Sequence, residues 1–490
     1  MLSRNICEKL INLNLRTVVK RILTARSFNE LASTMNSLRL DAIAAFPLVA
    51  FLSCVVMGPH TVLAETMSLE DALASAYTSN PQLEAQRASL RATDEEVSKA
   101  LAGWRPTIGA NGSYGWQQER ETLLGPQTTN SIPQAEQLTI SQPVFNGQTI
   151  PNIYRAKDLV DAGRAQLQAT EQTVLLEAAT AYFAVLRDMQ IVEAYHNDIT
   201  NLRAILKNTQ QRLRLGDLTK TDASQASARL LGSQMSLETA EQQLNTSRSS
   251  FEHLIGRPAE TLTDHDIPNF PNDKQNALNI AIATNPSLEQ SKAQVRAAEH
   301  AVNAAIDALL PTISIQASYG RSIDAIAPGV RENGISVIGQ LTIPLYQGGA
   351  EEAVIRQAKE QSAQAELVSQ DAERQVREEF SNAWQTFQTT RAATNLAARQ
   401  ALDNDTAYHG SILESQVGAR TTIDILNADQ ELLQSKISAI TQRENNVSAA
   451  YQVLSVMGEM TAKDLKLPVK LYAPQEHYDS DATRWFGLDE

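Results

Sequence analysis

Cysteine is nearly missing from this chain: Cys7 and Cys54 are the only two, and both precede residue 65. Beyond that point the chain forms no disulfide, holds no thiolate-bound metal and has no cysteine nucleophile. Aromatics are also scarce, at 5% of residues, whereas a wide spherical core usually holds more Phe, Trp and Tyr. Ala, Gln, Leu, Glu and Ser dominate instead, as in long helices packed by small and medium side chains. Positive charge is in deficit, with 42 Lys and Arg against 56 Asp and Glu and a net of -14. Nucleic acid is therefore a poor partner, and the acidity suits a solvated surface or a lumen that favours cations. After the first 65 residues no apolar run is long enough for a transmembrane helix, so any membrane-embedded part must be made of strands. Catalytic signatures are absent too: no phosphate loop, no His-Glu-x-x-His and no Gly-x-Ser-x-Gly. His196, His253, His265, His300, His409 and His477 are scattered, and the neighbours Asp264-His265-Asp266 cannot readily converge on one ion. Pairs such as Glu378-Glu379 belong to solvated helix faces. The sequence predicts no enzyme, no cofactor and no metal.

The first 64 residues have the pattern of a secretory signal peptide. Arg4, Lys9, Arg16, Lys20, Arg21, Arg26 and Arg39 outnumber Glu8, Glu30 and Asp41, and the apolar run Ala42–Met57 follows. Val62-Leu63-Ala64 then offers a small-residue cleavage site before Glu65. The basic region is long, which leaves Met35 as an alternative start. The apolar run is short of a membrane span, and Phe51-Leu52-Ser53-Cys54 is a poor lipoprotein box, with acylation of Cys54 the minor alternative.

What the sequence has in abundance is itself, twice. Ala72-Leu73, Asn80-Pro81, Leu83-Glu84, Arg91-Ala92, Pro106-Thr107-Ile108 and Ser113-Tyr114-Gly115 recur without a gap 205 positions later, as Ala277-Leu278 through Ser318-Tyr319-Gly320. Leu138-Thr139-Ile140-Ser141-Gln142-Pro143-Val144-Phe145-Asn146-Gly147 is answered by Gln340-Leu341-Thr342-Ile343-Pro344-Leu345-Tyr346-Gln347-Gly348. Gly216-x-x-Thr219-x-x-Asp222-x-x-x-Ala226 is answered by Gly418-x-x-Thr421-x-x-Asp424-x-x-x-Ala428. Each half thus has one order: helix, two strands, long helix, tight turn, helix. The first repeat is expected over 65–265, with strands near 106–118 and 134–146. The second is expected over 266–460, with strands near 312–322 and 334–346, and a C-terminal periplasmic tail fills 461–490.

The long helices, about 153–213 and 350–416, carry stripes with alternating steps of three and four. Leu175, Ala178, Tyr182, Val185, Met189 and Val192 form one; Val376, Phe380, Ala383 and Phe387 form the other. That 3.5-residue repeat makes a supercoiled seam, which a plain coiled-coil rod or tether would also show. The strands argue against the rod. Ile108, Tyr114 and Trp116, then Ile313, Ile315 and Tyr319, then Ile335 and Val337 alternate with polar residues, as on the lipid face of a transmembrane barrel. Segments 119–133 and 322–333 carry Gly125-Pro126 and Pro328-Gly329, suited to external hairpin loops. Four strands cannot close a barrel, and an open edge in lipid leaves backbone groups unpaired at a cost of several kcal/mol each. Copies must join: two would give eight strands, whose side chains largely fill the interior, and three would give twelve, with room for a lumen. The trimer is favoured.

Val417-Gly418-Ala419-Arg420-Thr421-Thr422-Ile423-Asp424-Ile425-Leu426-Asn427-Ala428, the duplicated plan and the junctions at Pro106, Pro143, Pro311 and Pro344 resemble the TolC-like outer-membrane efflux family over about 67–470. The resemblance implies an α+β membrane protein, internally duplicated, with four strands per chain in a 12-stranded trimeric barrel continued by a periplasmic α-helical barrel. It implies short helices, about 67–103 and 219–254, stacked end to end beside the long ones. Its function would be passive exit duct of a tripartite export system, in type I protein secretion or multidrug efflux. The partners implied are a periplasmic adaptor, an inner-membrane ABC or proton-driven transporter and outer-membrane lipid. The turns Leu215-Gly216-Asp217 and Val417-Gly418-Ala419 would be the adaptor-docking tips, and Arg420, Asp424 and Asn427 would surround the periplasmic aperture. Some members have a second aspartate where this chain has Asn427, and a latch tyrosine where it has Ser415. Asp222 and Asp424 can also serve as helix first-turn charges. The ending Leu467-Pro468-Val469-Lys470 through Trp485-Phe486-Gly487 looks like the type I secretion branch.

Overall fold

The computed structural model describes residues 66–490, apart from 122–126, 260, 265, 266, 269, 272, 482, 483 and 486–490. The expected signal peptide with Cys7 and Cys54, Gly125-Pro126, His265-Asp266 and Phe486-Gly487 lie outside the described residues. In chain order the elements are β1 (Thr66–Met67), α1 (Leu69–Ser79), α2 (Pro81–Leu101), β2 (Thr107–Tyr114), β3 (Gln117–Glu121), β4 (Gln127–Ser131), β5 (Gln134–Phe145), α3 (Thr149–Leu215) and α4 (Lys220–Ile255). They continue as β6 (Thr261–Leu262), α5 (Lys274–Thr284), α6 (Pro286–Asp307), β7 (Thr312–Ile323), β8 (Arg331–Thr342), α7 (Ala350–Gln416), α8 (Thr422–Val456) and α9 (Pro474–Asp481). No helix among the described residues is long and apolar enough to cross a membrane.

The two long helices, α3 and α7, have 67 residues each, roughly 100 Å of uninterrupted helix at 1.5 Å per residue. The striped positions Leu175, Ala178, Tyr182 and Val185, and Val376, Phe380, Ala383 and Phe387, are buried. The long helices organise a wall. Near the strands the neighbours run α2, α3, α6, α7; toward the turns they run α4, α3, α8, α7. Two aromatic clusters lie halfway along it. Tyr182, Phe183, Phe251 and Tyr451 form one cluster, and Phe270, Phe380, Trp384 and Phe387 the other. The Tyr182 hydroxyl reaches the carbonyl oxygens of Met67 at 3.0 Å and Thr263 at 2.6 Å.

The helix expected over 67–103 is in fact two, α1 and α2, broken at Asn80-Pro81; α5 and α6 break likewise at Asn285-Pro286. Pro has no N–H to continue a helix but fits its first position. The Asn80 side chain accepts from the N–H groups of Gln82 and Leu83 and donates to the Leu254 carbonyl at 3.1 Å. Asn285 accepts from Ser287 and Leu288 and donates to the Val456 carbonyl at 3.0 Å. The duplicated Asn-Pro pair is therefore a clamp on the far ends of α4 and α8, where the short helices meet. Gly256 and Gly458 end those helices with φ of 78° and 81°, a conformation costly for residues with a Cβ.

One sheet has the order β2-β5-β7-β8, antiparallel throughout. Its ladders pair Ile108 with Ile140, Ile140 with Ala317 and Ala317 with Val337, and Leu138 with Tyr319 and Tyr319 with Ile335. The first hairpin does not end in the irregular loop expected over 119–133, because β3 and β4 form a further ladder there. The second ladder runs out to Ile323–Arg331, and Gly329 donates its N–H to Asp324 across the turn. The strand expected to reach residue 346 stops at Thr342. Its partner β7 begins at Thr312, opposite Thr342, so Pro344 has neither a neighbour nor an N–H to offer. Pro143 instead stays within β5, at a bulge between residues 143 and 145.

The tail after α8 runs back along the first repeat. Arg87 lies between the rings of Tyr77 and Tyr472, at 4.6 and 5.2 Å. His477 on α9 meets Asp94 on α2 at 3.0 Å, and Arg105 Nη1 donates to the Arg484 carbonyl at 2.7 Å.

A Cβ on Gly458 would lie 2.5 Å from the Thr284 carbonyl oxygen, whereas one on Gly256 would meet the Ser79 hydroxyl at 3.1 Å, a group that can rotate away. Both alanine substitutions should cost about 1–2 kcal/mol for the left-handed backbone, and G458A should cost at least ~1 kcal/mol more through overpacking. Denaturant unfolding of the two variants side by side measures the difference; equal losses would refute it.

Candidate functional site

Each long helix turns into its partner through the same two devices. At the end of α3, Gly216 has φ of 86°, its N–H donates to the Leu213 carbonyl, and the Asp217 N–H reaches the Arg212 carbonyl at 3.0 Å. At the end of α7, Gly418 has φ of 80°, with Gly418 N–H on the Ser415 carbonyl and Ala419 N–H on the Glu414 carbonyl at 2.9 Å. These paired bonds close a helix on a left-handed glycine. Thr219 and Thr421 then cap α4 and α8, and Asp222 and Asp424 complete the reciprocal capping box. The Gly-x-x-Thr-x-x-Asp repeat thus spells out one helix stop and one helix start. Leu215 and Val417 project at the turns with 77% and 81% of their surface exposed.

Those bonds fix what the aspartates do in the single chain. The Thr421 side chain, then its backbone N–H, holds the Asp424 carboxyl below the usual carboxylate range, and Thr219 does the same for Asp222. Arg420 donates to Glu414 Oε2 at 2.9 Å, inside its own turn. Ser415 donates to the Ile412 carbonyl of its own helix and holds no second helix. Asn427 is joined to the other hairpin: Arg229 on α4 donates to Asn427 Oδ1 at 3.2 Å and to Gln430. Arg420, Asp424 and Asn427 therefore follow one another along the start of α8, and of the three it is Asn427 that is bonded to a side chain of α4. Arg229 has no echo in the duplicated pattern, which is why it escaped the sequence reasoning.

Behind the turns lies a buried polar cluster that the sequence reasoning also missed. Asp198 on α3 is 6% exposed and Asp429 on α8 is 3% exposed. The Ser233 hydroxyl of α4 donates to Asp198, and Asp198 and Asp429 line the same groove between α3 and α8, with Tyr408 of α7 close enough to Asp429 to interact with it. Burial, then the charge of Asp198, pushes Asp429 up to about 7; burial and the Asp429 charge push the Tyr408 phenol up to about 12. A groove of about 380 Å³ between α3 and α8 borders the pair. One signal was available: Asp429 interrupts the buried seam of Leu426 and Leu432 on α8.

The sheet carries the other candidate residues. The register puts Ile108, Tyr114, Leu138, Ile140, Ile313, Ile315, Tyr319, Ile335 and Val337 on one face and Thr139, Ser318 and Ser336 on the other. Ile335, at 79%, and Tyr114, at 76%, are among the most exposed apolar residues. Trp116 stands beyond β2, before β3, and is also exposed. Pro106 and Pro311 immediately precede β2 and β7. Among the described residues, β2 and β8 are each paired on one side only, and no group of acidic, His or Cys side chains could hold a metal.

A four-stranded sheet open on both sides among the described residues is joined to two long helical hairpins. The family model described as outer membrane efflux protein matches twice, over residues 72–257 and 277–459. The outer membrane efflux protein BepC of Brucella suis biovar 1 (strain 1330) is 32% identical over 441 residues, covering 89% of this chain and 95% of that protein. The outer membrane protein TolC of Escherichia coli (strain K12) is 23% identical, covering 85% of this chain and 87% of its own. The crystal structure of the Campylobacter jejuni CmeC outer membrane channel shares the fold with a TM-score of 0.72 at 14% identity, over 85% of this chain and 89% of that one. The chain belongs to the outer membrane efflux protein family. Its members, the TolC-like channels, are non-enzymatic conduits of the outer membrane that extend into the periplasm and work with adaptor proteins and inner-membrane transporters.

Thr421→Ala removes one half of the α8 capping box and should raise amide exchange severalfold in the first turn of α8, leaving the α4 start unchanged. Asp424 contributes through a lowered pKa, so its part is present above the ordinary Asp pKa and lost as pH falls through the folded value. Protection of the α8 start against exchange should therefore fall as pH drops below the ordinary Asp range. Equal exchange in wild type and variant would refute the capping role.

Proposed function

We propose that three copies of this chain form the passive exit duct of a tripartite export system, serving type I protein secretion, multidrug efflux or both. One observation carries the proposal: a four-stranded sheet with an apolar face in the open and unpaired edges on β2 and β8. In lipid those edges must find partners, and β8 of one copy beside β2 of the next satisfies both. Three copies supply twelve strands, wide enough for a lumen, and four helices each to a continuing tunnel. Exposed Leu367, Leu396, Leu402 and Leu413 on α7, and Leu231 and Met235 on α4, lie on the two outermost helices of the wall. Burying such residues between copies supplies the hydrophobic drive for closure.

Under this function Ile108, Tyr114, Trp116, Ile313, Ile315, Tyr319, Ile335 and Val337 face lipid. The turns at Leu215-Gly216-Asp217 and Val417-Gly418-Ala419 are the tips where a periplasmic adaptor docks. Arg420, Asp424 and Asn427 sit at the aperture. Energy comes from an inner-membrane transporter, because the duct has no nucleotide chemistry of its own.

In planar bilayers the purified protein should give stepwise, cation-preferring conductance and behave as a trimer; a silent, water-soluble monomer would point to a coiled-coil tether instead. Gly418→Val forces a β-branched residue into φ of 80°. It should abolish export in a cell-based assay while trimers still form. Loss of the trimer itself would overturn the tip assignment.

A further inference from the structure

The long helix α3 carries two buried aspartates, and each accepts a hydrogen bond from a serine of α4. Asp188 accepts from Ser247 Oγ at 2.5 Å. Asp198, ten residues further toward the turn, accepts from Ser233. The two sites then differ in what α8 sets against them. At Asp188 the charge is met by Arg187, whose Nε donates at 2.8 Å and whose Nη1 lies 3.6 Å from Glu444 of α8. At Asp198 the residue of α8 is another acid, Asp429. Among the described residues no Lys, Arg or His pairs with Asp198 or Asp429. The nearest cations are engaged elsewhere: Lys436 of α8 with Asp405 of α7 at 3.3 Å, His409 with that same Asp405 at 3.6 Å, and Arg229 of α4 with Asn427.

Two buried carboxyls that share one groove cannot both ionise at low cost. With one proton between them, a carboxyl O–H can donate to a carboxylate and draw α3 and α8 together, while Ser233 of α4 donates to Asp198 from outside. Without that proton, two anions face each other in a desolvated seam and push the helices apart. We propose that Asp198 and Asp429 are a shared-proton latch, which holds the two hairpins in their closed packing and lets them separate when the proton leaves. Asp429 stands two residues from Asn427 and five from Asp424 on the same helix, so movement of the seam moves the aperture. This last consequence rests on the exit-duct function proposed above.

The direction of the pH effect follows from the raised pKa of Asp429. Stabilisation by the latch is complete below the ordinary Asp value, persists through mild acid, and is lost as pH rises through about 7. Lys436 opposes the shift and Glu193, which lines the same groove, adds a further negative charge.

The test places spin labels on Leu215→Cys and Val417→Cys, one at each exposed turn, in the purified full-length trimer. Distances are compared at about pH 5.5 and about pH 8.5, either side of the titration. The label-to-label distance should lengthen and broaden at the higher pH. Asp429→Asn keeps a neutral donor facing the Asp198 carboxylate, so it should hold the short distance at both values. Asp198→Asn should do the same and serves if the first variant fails to fold. In bilayers, conductance should rise severalfold between the two values in the wild type and stay flat in either variant. Distances that ignore pH in the wild type, or a pH response that survives both substitutions, would overturn the latch. A silent bilayer combined with a pH-dependent distance abolished by Asp429→Asn would uphold the latch and reject the duct.

Discussion

Backbone hydrogen bonding at a strand edge is the constraint from which the rest of this structure follows. Water can satisfy the outer N–H and C=O groups of β2 and β8, but hydrocarbon cannot. A four-stranded sheet whose two outer edges are open among the described residues leaves those groups to water or to another chain. The face with Ile108, Ile140, Ile335 and Val337 is apolar and exposed; under the proposed function lipid covers it and neighbouring copies cover the two open edges. The helices inherit the same incompleteness: α7 and the row formed by α2 and α4 bound a wall open on both sides.

Duplication explains how one sequence arrives at that wall. The same clamp, Asn followed by Pro, seizes the end of α4 in one half and α8 in the other. The same glycine and the same Thr–Asp box make both turns. Departures from the symmetry are local and have physical causes. β5 continues through Pro143 because β7 lies alongside, while β8 stops at Thr342 because its neighbour begins there. Asp188 has an arginine beside it and Asp198 has a second acid, so two similar positions on α3 have different neighbours.

Much of this was legible in the sequence because it repeats. The strands, the long helices, the turns and their caps are local patterns, set by spacings of two, three and four residues. The family matches over 72–257 and 277–459 follow the same duplication. Features that depend on which surfaces meet were not legible. The break at Asn80-Pro81 was visible as a motif but not as a clamp, since its partner carbonyl belongs to Leu254, 174 residues away. Arg229 finds Asn427 only because α4 and α8 come together at the turns. The acid pair brings α3 and α8 together across more than 200 residues, and although Asp429 interrupts an apolar seam, nothing in its own helix names Asp198 as its neighbour. The ladder of β3 and β4 was hidden by polar composition, because strands outside an apolar layer need not alternate.

The placement of the aromatics has a mechanical consequence. Tyr182 and Phe380 fall close to the midpoints of two 67-residue helices, and the two ring clusters stiffen the wall at that level. Each long helix is thus a lever with a fulcrum near its centre, and its lower arm of some 33 residues measures roughly 50 Å. A tilt of only ~5° about that fulcrum carries the far end sideways by ~4 Å, about the width of one side chain, without any unwinding of helix. Because each helix is continuous through the clusters, such a tilt moves its two ends in opposite senses, so displacement at the turns and displacement at the strands are mechanically coupled.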